Sequence, residues 1–125
     1  MTLDAYAAAR DVRARRWSAV ELADAALAAI EKLDPQLNAF TVVLADEARA
    51  AARAVDRAIA AGEDPGPLAG VPVAIKDHVW MRGAPATNGS LALADFVPPE
   101  DPPGVRSSAH GLRVSPNTSL SVKPR

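Results

Sequence analysis

The sequence predicts the opening of an α/β domain, and three observations carry that prediction. Apolar residues recur at three- and four-residue spacing in three stretches within residues 2–61. The spacing then drops to two at Val71, Val73 and Ile75, which is the period of a strand. A single strand cannot make a sheet, so residues 1–101 read as the start of a larger fold rather than a finished one.

Thr2 is placed to cap a first helix, which Leu3, Tyr6, Ala7 and Arg10 continue at helical spacing. Arg13, Arg15 and Arg16 gather near its end, where cations suit the helix dipole. A solvated helix end accounts for them better than a phosphate site. Ser18-Ala19-Val20-Glu21 is a capping box that opens a second helix. Val20, Leu22, Ala23, Ala26, Leu27 and Ile30 form its apolar face, and Asp34-Pro35 is expected to stop it. Residues 38–43 are short, β-branched and apolar: a buried extended segment, or the lead-in to the next helix. A third helix is expected from about Leu44 to Ala61, with Gly62 as its stop. Residues 63–69 form a Pro- and Gly-rich loop, and Pro72 sits at the start of the strand, where proline is tolerated. Lys76 and Asp77 follow at the strand's end. Residues 80–101 read as loops with one short apolar piece, Leu91 to Asp95, and no internal repeat is visible. Trp17 and Trp80 are expected to be packing residues.

With 125 residues and 13.0 kDa, the chain is one small domain or a piece of a larger one. It has no cysteine, which excludes disulfides and Cys-based zinc sites. Two histidines, His78 and His110, cannot make a His-rich metal cage. A pI of 6.1 argues against a nucleic-acid binder. No apolar run approaches the ~20 residues of a membrane span. The N-terminus lacks the basic-then-apolar layout of a secretory signal. A soluble cytoplasmic protein is expected.

The net charge of −1 conceals a break near residue 102. Residues 1–101 hold all 15 acidic residues and 10 of the 14 basic ones, a balance of −5. Residues 102–125 hold four basic residues and no acid, a balance of +4, and they are rich in Ser and Pro. An irregular tail is expected. It is either a basic, disordered extension or a frameshifted end, since out-of-frame translation of a GC-rich gene yields Ser, Pro and Arg.

Lys76 is the candidate for chemistry. On spacing alone, a lysine ending an apolar strand is a solvated surface residue. A lysine accepts a proton only when neutral, and burial favours the neutral form. Beside a serine, a neutral lysine serves as its base. Asp77 is expected to accept turn or backbone hydrogen bonds, and His78 to be structural or exposed. Thr87-Asn88-Gly89-Ser90 suits a turn near the site.

The surroundings of Lys76 sharpen this reading. Leu68-Ala-Gly-Val-Pro-Val-Ala-Ile-Lys76-Asp77 closely resembles the first hallmark of the amidase signature family. Ser18 to Leu22 and Ile30 to Phe40 resemble that family's N-terminal helices. Arg82-Gly83, Thr87 to Ser90 and Phe96 to Asp101 resemble its segment after the lysine. The resemblance covers about residues 1–101. It implies the N-terminal part of an α/β/α fold: three helices, then the first strand of a mixed sheet. It also implies a Ser–cis-Ser–Lys triad in which Lys76 works through a bridging serine to activate a nucleophilic serine. Backbone N–H groups of a Gly-rich loop would hold the oxyanion. No cofactor and no metal are implied.

Only Lys76 is carried over. The family's two serines lie in a Gly-Gly-Ser-Ser-Gly-like loop far downstream of the lysine. Ser107-Ser108 lacks the paired glycines and stands too near Lys76 to replace them. The chain as given is therefore expected to be inactive, and the composition break favours a frameshift or truncation.

The implied partner of the intact parent is a small-molecule amide, with no nucleic acid and no membrane. Three readings follow. The first is an amide hydrolase. The second is the amidase component of a tRNA-dependent amidotransferase, in which the position of His78 commonly holds Asn; that departure favours the stand-alone enzyme. The third is a helical interaction module made by residues 1–61.

Overall fold

The computed structural model describes residues 4–103 and the backbone of residues 112–116. Helix α1 spans Ala5–Arg13 and α2 spans Ala19–Leu37. Strand β1, Phe40–Val43, precedes helix α3, Ala45–Ala60. Strand β2 is Pro72–Ala74, a 3-10 turn covers Leu91–Leu93, and strand β3 is Leu112–Pro116. The sheet order is β1-β3-β2, with β3 antiparallel to β1 and parallel to β2. The sheet is thus mixed, as the family resemblance implies.

Helices α1 and α2 start where side chains take the free N–H groups of a first turn. Asp4 caps α1 by accepting from the Ala7 N–H at 2.6 Å; Thr2 lies outside the described residues. Both arms of the α2 capping box form. The Ser18 hydroxyl accepts from the Glu21 N–H at 3.0 Å, and the Glu21 carboxylate accepts from the Ser18 N–H at 2.7 Å. Asp56 of α3 adds a second anchor from outside the helix. Its carboxylate accepts from the N–H groups of Ala19 and Val20 at 2.7 and 3.2 Å.

Three expectations need correction. Helix α2 does not stop at Asp34-Pro35 but runs through Pro35 to Leu37. Pro35 sits in the last turn, where it removes one hydrogen bond without breaking the body of the helix, and Asn38 closes the helix in a left-handed conformation, φ 50°. The Asp34 carboxylate then accepts from the N–H groups of Ala39 and Phe40 and turns the chain into β1. The first strand is therefore β1, before the third helix rather than after it. It is half-buried and exposed by turns, not fully buried. Finally, residues 112–116 of the expected irregular tail form the central strand. The edges of β1 and β2 offer unpaired N–H and C=O groups, and β3 satisfies both. Residues 104–111, with Ser107, Ser108 and His110, and residues 117–125 lie outside the described residues.

The main core joins α1, α2, α3 and the approach to β2. Among the described residues, seven of its eleven members are alanine, so the elements can approach closely. One close approach is at Gly70, where φ is +69°. A Cβ there would lie 2.7 Å from Ala19 Cβ and 3.2 Å from Val12 Cγ1. The arginines at the end of α1 make ties at the surface. Arg15 donates to the Ile59 carbonyl at 2.9 Å and Arg13 to that of Gly66, while Arg16 pairs with Asp11. The cluster is exposed, as expected of a helix end, and it serves carbonyl groups and a carboxylate. A smaller cluster of Met81 and Ala84, with Leu44, Ile75 and Val79 against it, underlies the segment after β2.

Candidate active site

Strand β2 ends at Ala74, and Lys76 leaves two residues later with its side chain exposed. The chain turns at once, because the Val79 N–H donates to the Lys76 carbonyl at 2.8 Å. Asp77, the next residue, is buried with 5 % of its surface exposed. One carboxylate oxygen accepts from the Thr87 N–H at 3.1 Å. The other accepts from the Thr87 hydroxyl at 2.6 Å and the Gly89 N–H at 3.3 Å. The expectation of turn and backbone hydrogen bonds for Asp77 is met.

The donors come from a tight turn. The Ser90 N–H donates to the Thr87 carbonyl at 2.8 Å, and Asn88 and Gly89 both have positive φ, 50° and 70°. That is the pattern of a type I′ turn, which Asn-Gly favours. Burial pushes the Asp77 carboxyl up. The Thr87 hydroxyl and the N–H groups of Thr87, Gly89 and Asn88 outweigh it and hold the carboxyl below its ordinary 3.8.

A second buried carboxylate closes the segment. Asp101 accepts from the Arg82 N–H at 2.8 Å. The excursion after Lys76 is thus pinned near its middle by Asp77 and at its end by Asp101. The backbone adds a further tie, from the Ala86 N–H to the Phe96 carbonyl at 2.9 Å. Trp80 stacks edge-on against Phe96 with ring centroids 5.5 Å apart, so it packs as expected while remaining half exposed. The segment forms an open cleft of about 410 Å³ lined by His78, Trp80, Ala86, Asn88, Leu93 and Phe96. His78 is exposed there. Trp17 lies at the surface with 38 % exposed. Among the described residues no group of His, Cys, Asp and Glu could hold a metal. No described helix is long and apolar enough to cross a membrane.

The structure therefore brings Lys76, Asp77, His78 and the 87–90 turn to one end of β2. Sequence reasoning misses the part of Asp101, which it places only as the last residue of the segment from Phe96. No local signal points to it, because its donor, the Arg82 N–H, lies nineteen residues earlier in the chain.

The family model for amidases matches residues 21–107, and the chain belongs to this family. Two relatives are glutamyl-tRNA(Gln) amidotransferases, matched in their A subunits. Over 82 residues the chain is 56% identical to the one from Synechococcus elongatus, covering 66% of this chain and 17% of that protein. Over 94 residues it is 54% identical to the one from Granulibacter bethesdensis, covering 74% of this chain and 19% of the relative. The fold matches that of a bacterial aryl acylamidase of the amidase signature enzymes. There the TM-score is 0.83 and the identity 32%, over 95% of this chain and 26% of that one. The chain spans about a fifth of the length of the curated relatives it matches. The expected fold class, an α/β fragment of the amidase-signature type, stands.

Proposed function

We propose that this chain supplies the lysine of an amide hydrolase. The observation that carries this reading is the continuous family match through Gly70 and Lys76 to the pinned segment after β2. In the assembled enzyme, Lys76 takes a proton through a bridging serine from the nucleophilic serine. The serine attacks an amide carbonyl, the amine leaves, and water releases the acid. Both serines belong to sequence that the 125 residues do not contain. No step needs a metal or a cofactor, and the reading places the protein in the cytoplasm with a small-molecule amide as substrate.

One experiment tests the role of Lys76 directly. Residues 1–101 are joined to the remaining length of the Synechococcus elongatus relative, and turnover is compared with its Lys76→Ala variant. Loss of a general base should lower kcat by about 10²–10⁴-fold. Turnover that survives the substitution would sink the reading.

A second reading has its own support. Identities of 56% and 54% to the two amidotransferase relatives exceed the 32% to the aryl acylamidase. This favours a subunit that releases ammonia from glutamine for a partner, whereas His78 favours a stand-alone amidase. The two part in the full-length gene product: glutaminase activity with a copurifying partner supports the former, and turnover of simple amides without one supports the latter.

A further inference from the structure

We infer that Asp77 is a positioning residue for Lys76, acting through the 87–90 turn. This rests on the reading of Lys76 as the base. Lysine is a long, flexible side chain, and a base must meet its partner within hydrogen-bond reach. The direction in which Lys76 leaves β2 must therefore be held by something other than the lysine itself. Ile75, packed on the Met81 cluster, holds the residue before it. Asp77 holds the residue after it. It is buried, and its two oxygens take three donors from the turn. Those donors converge because Asn88 and Gly89 adopt positive φ. The buried carboxylate thus fastens the chain directly after Lys76 to a turn ten residues downstream, while Lys76 faces out. Thr87 is the specific partner, since it offers both a backbone and a side-chain donor to this carboxylate.

The test uses two preparations. In the 125-residue chain, amide hydrogen exchange at Thr87 and Gly89 reads the clamp. Asp77→Asn and Thr87→Val should speed it, and Thr87→Ser, which keeps the hydroxyl, should not. In the joined enzyme described above, Asp77→Asn and Thr87→Val should lower kcat by up to about 10²-fold with KM unchanged. Thr87→Ser should stay close to the parent. Faster exchange with an unchanged kcat would overturn the inference and leave Asp77 as a loop fastener only. A change confined to KM would also overturn it, because it would put Asp77 in substrate binding. If Asp77→Asn fails to fold, the Thr87 pair decides alone. Retained turnover in Lys76→Ala is a separate result: it removes the base itself, whatever Asp77 does.

Discussion

Gly70 tolerates no side chain without movement of its neighbours. Its positive φ and the 2.7 Å approach to Ala19 act together: the conformation disfavours a Cβ, and the space denies it. Gly70→Ala should cost about 1–3 kcal/mol from overpacking and roughly another 1–2 from the left-handed backbone. A urea midpoint lower than that of the parent chain would show it. At Asp77 the prediction concerns acid. Burial pushes its folded carboxyl up, but the Thr87 hydroxyl and the turn's N–H groups prevail and hold it below the ordinary value. It therefore stabilises the fold fully above its unfolded pKa, and the contribution disappears as pH falls through the folded value. Asp77→Asn should flatten this part of the acid limb when the denaturation midpoint is followed from neutral pH downward. An acid limb identical to that of the parent would argue against the three-donor clamp.

At the scale of elements, the helices are held by side chains that reach between them. Asp56 belongs to α3, yet it satisfies two donors at the start of α2. Its charge also suits the positive end of that helix. Asp56→Ala should cost about 1–2 kcal/mol, as loss of a strong cap does. The Ser18 box should remain, so circular dichroism should report a lower melting midpoint without loss of helix at low temperature. The strands show a similar dependence. Strand β1 meets β3 through an irregular step between Phe40 and Val42. Strand β2 has only three residues and gains its pairing from β3. The Lys76 arm is thus held on one side by a segment that follows it by almost forty residues.

At the scale of the molecule, apolar surface remains uncovered. Leu91 is 89 % exposed, Tyr6 and Leu37 are largely exposed, and Trp80, Val43 and Val97 are partly so. Scattered apolar side chains are ordinary, but these accompany a core built mostly of alanine, which buries little area per residue. The 125-residue chain should therefore melt over a broad range and bind an apolar dye such as ANS. A sharp, cooperative transition of a monomer would instead support an independent helical module. The same chain should show no labelling by a fluorophosphonate probe, since its sequence holds no Gly-Gly-Ser-Ser-Gly-like loop. For the tail beyond residue 101, DNA sequencing through all three frames is the direct test. A frame that restores an apolar helix, a strand and that loop would establish the frameshift.

What the sequence determined by itself is local. Ser18 and Glu21 form their box because both partners lie within one turn. Gly62 ends α3, and Val71 to Ile75 announce a strand, because spacing alone sets which side chains share a face. The Asn-Gly turn and the lysine at the end of β2 were legible for the same reason. The tertiary structure decided whatever depends on partners distant in sequence. Pro35 is carried inside α2 while Asp34 turns the chain out of it, so a stop signal yielded to a carboxylate and the donors it collects. The Gly70 approach exists only because α1 and α2 meet there. Asp77 became a clamp only when Thr87 and Gly89 folded back onto it. Residues 112–116, irregular by composition, became the central strand because two open edges needed their hydrogen bonds. Periodicity reports a residue's own face, but a hydrogen bond needs two groups, and the fold alone brings the second one near.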